Sequence, residues 1–137
     1  MAKKEFTFRG KSLEELQATG LEDFAKLCTS RQRRSVRRLA ANPEFKHFLK
    51  KVKKAKEAII AGKQPKPVKT HSRDFIVVPE MIGAPLAIYK GNEFMQIETK
   101  EKMLGHFLGE FVLTRKRLTH GKAGIGATRS STAISER

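Results

Sequence analysis

The stretch D-F-I-V-V-P-E-M-I-G-A-P-L-A-I-Y-K-G-N-E-F-M-Q-I, residues 74–97, decides the fold class of this 137-residue chain. Three short runs within it, at residues 74–78, 86–89 and 94–97, are rich in the β-branched and aromatic residues that favour strands. The glycine-containing segment 90–93 predicts a hairpin between the second and third runs. We therefore expect a small three-stranded, mainly antiparallel sheet.

The residues before this stretch predict helices. Ser12 and Glu15 have the S-x-x-E spacing of a capping box, which favours a helix start. Apolar residues recur at helical spacing over residues 21–28, and Ser30 is expected to cap a further helix over residues 31–40. The N-terminal part of the chain, up to residue 41, is therefore predicted to be a helical extension.

A longer helix is predicted to begin at Asn42 and Pro43, because an asparagine cap followed by proline favours a helix start. Its apolar residues have the i, i+3, i+4, i+7 spacing of one helix face. They are Phe45, Phe48, Leu49, Val52, Ala55 and Ile59. Gly62 is expected to end this helix, and the proline- and lysine-rich segment 63–69 is expected to be an extended linker.

The part of the chain after the hairpin divides into a structured segment and a tail. Thr99 is expected to cap a helix whose apolar members lie within residues 103–111. Helical periodicity then ends, and a segment rich in Gly, Ser, Thr and Arg cannot bury enough apolar surface to fold alone. We therefore expect an α+β core over residues 42–114, with helices flanking the sheet, and an extended basic tail over residues 115–137 that orders only on a partner.

Charge is unevenly distributed along the chain. The 29 Lys and Arg residues exceed the 14 Asp and Glu residues, which gives a net charge of +15. Residues 31–70 hold fourteen basic and two acidic side chains, and residues 115–137 hold six and one. Such an excess costs self-repulsion in the compact state and favours a polyanionic partner such as RNA, DNA or an acidic membrane face. The sequence therefore predicts two separate polyanion contacts.

No set of residues in the sequence indicates catalysis. The four histidines lack the spacing of a zinc site, the serines lack a nucleophile elbow, and there is no G-K-[ST] phosphate loop. The single cysteine, Cys28, excludes an internal disulfide and a multi-cysteine zinc site. No apolar run approaches the roughly 18 residues of a membrane span. We therefore expect a cytoplasmic chain that is not an enzyme and uses no cofactor, metal or membrane.

The basic residues favour nucleic-acid binding. Arg34, Arg37 and Arg38 share one helix face, and guanidinium groups present paired donors that match phosphate oxygens. The lysines of the next helix are predicted either to bind phosphate or to form a solvated helix face. The chain has one Tyr and no Trp, so the sequence only weakly indicates a surface for stacking bases. Phosphate contacts to a folded RNA are predicted instead. The main alternative hypothesis is a nucleoid-type DNA-binding protein. A third hypothesis is an RNA-modifying enzyme.

Four motifs resemble one known family. They are T-H-S-R at residues 70–73, P-E-M-I-G at residues 79–83, M-L-G-H-F-L-G-E-F at residues 103–111, and T-R at residues 114–115. Together they resemble the small-subunit ribosomal protein nineteen family over about residues 42–126. The arginine-rich N-terminal part and the G-A-T-R-S-S tail resemble its archaeal and eukaryotic branch.

The resemblance implies a structural protein in the head of the small ribosomal subunit, with an α+β fold. It implies binding to 16S-type rRNA together with small-subunit protein thirteen, near large-subunit elements, and a tail that extends toward the decoding region and its tRNAs. Gly105 and Gly109 are expected one turn apart on a helix, where either RNA or a strand approaches closely. His106 between them is expected to donate a hydrogen bond to rRNA, and the alternative is a capping or core role.

Charge and resemblance together define the predicted rRNA-binding residues. These are Arg31, Arg34, Arg37, Arg38, Lys50, Lys53, Lys54, Lys69, Arg73, His106, Arg115, Lys116, Arg117, Lys122 and Arg129. No catalytic, cofactor-binding or metal-binding residue is predicted.

Overall fold

The computed structural model describes residues 6–116 and 118–119. The predictions for Arg117, Lys122 and Arg129, and for most of the tail, lie outside these residues. The helices are α1 (Leu13–Ala18), α2 (Leu21–Leu27), α3 (Ser30–Ala41) and α4 (Pro43–Ile60), and the strands are β1 (Val68–Thr70), β2 (Pro85–Tyr89) and β3 (Phe94–Glu98). Three single 3₁₀ turns lie at Pro79–Met81, Glu101–Met103 and Leu108–Phe111. No helix in the described part is long and apolar enough to cross a membrane.

The α+β fold class and the three-stranded sheet are confirmed. The strands lie in the order β1-β2-β3, and the sheet is mixed. β1 pairs in parallel with β2 through three residues, whereas β2 and β3 pair antiparallel through five. The predicted hairpin joins β2 and β3, and its turn is closed by the Lys90 amide, which donates to the Glu93 carbonyl (3.0 Å).

The prediction of a strand over residues 74–78 is wrong. Residues Phe75 to Val78 are all buried, so their pattern lacks the alternation of a half-buried strand. They form only an isolated bridge, between Ile76 and Phe107. The third strand is instead β1, Val68–Thr70, at the end of the segment predicted as a linker. Its parallel partner β2 is distant in sequence, so no local signal marks the pairing.

The helix predicted to follow Thr99 is also absent. Gly105 has φ of +78°, in the left-handed region, and this interrupts any helix between the two short 3₁₀ turns. Amides of this segment donate to residues 73–77 instead of to carbonyls four residues back. Thr99 is not a cap, because its buried hydroxyl lies 2.6 Å from the Met81 carbonyl oxygen and 2.7 Å from that of Ala84. Gly105 and Gly109 are therefore not one helical turn apart.

The helix starts agree closely with the sequence. The Ser12–Glu15 capping box is present at α1, and the Glu44 amide donates to the Asn42 side-chain oxygen (2.8 Å) at α4. The prediction of Ser30 as the cap of α3 is wrong by one residue. Thr29 is the cap, since its amide donates to the Gln32 side-chain oxygen (3.1 Å), and the helix begins at Ser30 itself.

The apolar stripe of α4 forms much of the core. Phe45 and Phe48 pack against Phe75, with ring centroids 5.1 and 5.5 Å apart. Ile59 was expected to belong to this stripe but is 41% exposed, because it lies in the last turn of α4, beyond the buried residues. The core therefore lies between α4, the sheet and the buried segment 75–78, and leaves the polar faces of α3 and α4 toward solvent.

Candidate nucleic-acid interface

The outer side of α3 is an arginine face, which we define as Arg34, Arg37 and Arg38. All three side chains are exposed, whereas Val36 and Leu39 on the opposite side of the helix are buried. Burial of the apolar side fixes the rotation of the helix and directs the three guanidinium groups outward. None of the three forms an ion pair with a described carboxylate, so their charge is available to an anion.

Arg33 holds α3 against the end of α2 by hydrogen bonds. It was not among the predicted site residues. Its guanidinium donates to the carbonyls of Ala25, Lys26 and Cys28, each at 3.2 Å, and so joins the end of α2 to α3. A depression of about 340 Å³ lies between Ser30 and the four arginines of the helix centre, with no carboxylate in its lining. This depression is suited to a phosphate group.

Arg31 lies at the edge of the arginine face. Its guanidinium carbon is 5.1 Å from the centroid of the Phe107 ring, a cation–π contact between α3 and the loop after Gly105. The contact positions the guanidinium group of Arg31, which is an exposed residue.

Four of the six lysines of α4 form two groups. Lys50 and Lys54 lie opposite the buried stripe, are exposed, and form no ion pair with a described residue. Lys53 lies at the flank, where its ammonium is 3.2 Å from the Glu80 carboxylate, and Lys56 donates to the Glu80 carbonyl (3.2 Å). Lys50 and Lys54 are therefore better candidates for phosphate contact than Lys53, because the Glu80 carboxylate partly compensates the charge of Lys53.

Arg73 has an internal set of partners that its sequence position did not indicate. Its guanidinium donates to the carbonyls of Tyr89 (2.7 Å), Gly109 (2.8 Å) and Val112 (2.5 Å). A side chain at Gly109 would crowd Arg73, since a Cβ there would lie 3.1 Å from both the Cβ and the carbonyl oxygen of Arg73. The close approach expected at Gly109 is therefore made by protein backbone, and Arg73 stabilises the end of β2.

His106 lies on the loop between the last two 3₁₀ turns. Its Nδ1 is 2.6 Å from the Glu110 carboxylate, and about half of each side chain is exposed. The ring is thus oriented by a carboxylate, and its other nitrogen forms no hydrogen bond with the described residues.

A second basic region lies at the hairpin turn. Residues 90–93 and 113–116 line a groove of about 500 Å³ that includes Arg115 and Lys116, both exposed. Lys90 is paired with Glu93 (2.5 Å), and this hydrogen-bonded ion pair holds the pKa of the Glu93 carboxyl below its usual value. The free positive charge of this groove therefore comes from the segment after Val112.

Lys69 is the predicted site residue that lies on the sheet. It is exposed on β1, and its ammonium lies 5.2 Å from the centroid of the Phe94 ring. Apart from Arg73 and His106, the predicted residues that the structure describes thus fall into three places: the outer sides of α3 and α4, the outer face of the sheet, and the groove at the hairpin turn.

Two observations concern metal binding and thiol chemistry in the described residues. No three His, Cys, Asp or Glu side chains come together there as metal ligands. Cys28 is buried, and burial raises the pKa of its thiol, which disfavours the reactive thiolate.

Comparisons with known proteins agree with the motifs. A family model described as Ribosomal protein S19 matches residues 34–120, which include α4 and the whole sheet. The small ribosomal subunit protein uS19 of Methanococcus aeolicus is 42% identical over 127 residues, which cover 93% of this chain and 78% of that protein. These matches confirm the resemblance carried by the four motifs, and the chain belongs to the Ribosomal protein S19 family.

Proposed function

We propose that this chain is a structural, non-catalytic component of the small ribosomal subunit in the cytoplasm. In this role it binds 16S-type rRNA in the head of the subunit, and small-subunit protein thirteen is its protein neighbour. Family membership and the name of its archaeal relative support the ribosomal assignment. The tail is proposed to extend toward the decoding region, near tRNA and large-subunit elements.

The observation that carries the RNA-binding role is the arginine face of α3. Three exposed guanidinium groups surround a depression without carboxylates, and none has an ion-pair partner among the described residues. Arginine binds phosphate oxygens through paired, charge-assisted hydrogen bonds. A helix that exposes three such groups together is suited to an RNA backbone, and Lys50 and Lys54 extend the same basic character onto α4.

The dependence of binding on salt tests this role. Protein binding to nucleic acid weakens as salt rises, with a log–log slope that reports the phosphates neutralised, about 0.7–0.9 for each. We expect substitution of Arg34, Arg37 and Arg38 together by Gln to reduce the magnitude of this slope by about 2–3 on an rRNA head fragment.

A matched variant controls for net charge. Substitution of Lys11, Lys100 and Lys102 by Gln removes the same three charges at positions outside the predicted site, and it should leave the slope nearly unchanged. Equal slopes for the two triple variants would contradict binding through the arginine face.

A further inference from the structure

An aromatic cluster lies on the outer face of the sheet, and we define it as His71, Tyr89 and Phe94. Tyr89 and Phe94 are directly opposite each other on β2 and β3, with ring centroids 5.2 Å apart. The His71 ring, just after β1, lies 4.5 Å from the Tyr89 ring and 5.0 Å from the Phe94 ring. Three strands thus bring together rings whose clustering the sequence spacing did not indicate.

This cluster is separate from the hydrophobic core. Val68, Leu86 and Ile88 on the inner face of the sheet are buried, whereas His71 is exposed and the two other rings are only partly buried. The Tyr89 hydroxyl donates to the Gly91 carbonyl, so the polar atom of the ring is already paired. The cluster therefore presents aromatic surface, with His71 as its most accessible ring, to whatever covers this face.

Positive charge lies on one ring of the cluster and in the neighbouring groove. The Lys69 ammonium lies 5.2 Å from the centroid of the Phe94 ring. Arg115 and Lys116 line the groove beside the hairpin turn that follows Tyr89. None of these three cations is paired with a carboxylate in the described part of the chain. Aromatic rings bordered by unpaired cations complement a nucleotide, which offers a base for stacking and a phosphate for the cation.

We propose that an unpaired base of the rRNA stacks on the aromatic cluster, with Lys69 and Arg115 in contact with the adjoining phosphates. This inference rests on the proposed rRNA-binding function and assigns the cluster a role that the arginine face does not have. Stacking suits any base, because every base has a π face, and it adds affinity beyond phosphate contact. The arginine face then supplies salt-dependent affinity, and the cluster holds a single-stranded nucleotide.

The chain carries its own probe for this contact. It has one tyrosine and no tryptophan, so intrinsic fluorescence reports on Tyr89 alone. We expect saturating rRNA head fragment to shorten the fluorescence lifetime of Tyr89, because a base stacked on the cluster quenches the ring. Lifetime is the suitable readout, since absorption of light by the RNA does not alter it. An unchanged lifetime at saturation would overturn the inference.

Substitutions at His71 provide the matched pair. The side chain is exposed, so both His71→Leu and His71→Phe should fold, which thermal unfolding would check. We expect His71→Leu to weaken rRNA binding by about 5- to 140-fold without changing the salt slope, and His71→Phe to bind like the unsubstituted chain. Equal affinities for the Leu and Phe variants would contradict stacking.

The outcomes separate this inference from the proposed function. If the unsubstituted chain fails to bind the rRNA fragment, both are overturned. If it binds with the expected salt slope but the Tyr89 lifetime is unchanged, only the stacking inference fails. If His71→Leu impairs incorporation into subunits but not binding to naked rRNA, the cluster faces a protein, and the stacking inference is again overturned.

Discussion

Replacement of Arg73 tests whether one charged side chain stabilises the end of the sheet. Its guanidinium donates to the carbonyls of Tyr89, Gly109 and Val112 at 2.5–2.8 Å. Arg73→Met removes all three hydrogen bonds and keeps most of the apolar stem. Because β2 and the segment after Leu108 meet at this residue, the variant should loosen the sheet as well as lower the free energy of unfolding.

The size of the effect follows from the three bonds. A hydrogen bond to a charged group contributes about 1.5–3 kcal/mol, which sets an upper limit of about 9 kcal/mol for three. Bonds that share one group are not additive, and at this half-buried site water can rehydrate part of the exposed carbonyl surface. We therefore expect Arg73→Met to lower the free energy of unfolding by about 3–5 kcal/mol, close to the lower limit for three such bonds.

Urea unfolding followed by circular dichroism measures this loss, and Tyr89 fluorescence reports locally on the end of β2. Arg73→Lys keeps the charge but lacks the planar fork that reaches several carbonyls, so it should recover only part of the stability. An Arg73→Met variant within 1 kcal/mol of the unsubstituted chain would refute the structural role of Arg73. A reduced salt slope of rRNA binding with unchanged stability would instead favour the phosphate contact predicted from sequence.

Three further substitutions test local features by urea unfolding. Thr99→Val keeps the shape but removes the hydroxyl beside the Met81 carbonyl, and it should cost about 1 kcal/mol; no loss would show that this bond is unimportant. Gly105→Ala should cost about 1–2 kcal/mol, because φ of +78° strains a residue with a Cβ, and a stabilised variant would contradict the loop geometry. Asn42→Ala removes the acceptor of the Glu44 amide and should cost about 1 kcal/mol, whereas Asn42→Asp should retain the cap.

Features that depend on neighbouring residues were predictable from the sequence. The capping box of α1, the Asn42 cap of α4 and the hairpin at 90–93 each rest on groups within four residues of one another. Their geometry is decided by local hydrogen bonds and turn preferences, which short sequence signals report. The exposure of Arg34, Arg37 and Arg38 was predictable for the same reason, since helical periodicity alone places them opposite the buried residues.

Features that depend on distant partners were not predictable. β1 is a strand because β2 pairs with it in parallel, and the buried segment 75–78 is not, because its amides and carbonyls bond to the loop around Gly105. Likewise nothing in the composition separates Arg33 or Arg73, whose guanidinium groups bind backbone carbonyls, from the outward arginines. Donors of one chemical type serve both purposes, and only the tertiary structure decides which.

Site-directed cleavage of rRNA tests the central claim most directly. Ala41 is exposed at the end of α3, one helical turn after the arginine face, and Cys28 is buried. A chain with Ala41→Cys and Cys28→Ala therefore carries a single reactive cysteine, to which a tethered iron chelate can be attached before small subunits are reconstituted. Hydroxyl radicals from this position should cut rRNA nucleotides of the subunit head. Incorporation into subunits without any cleavage of head rRNA from this position would contradict binding through the arginine face.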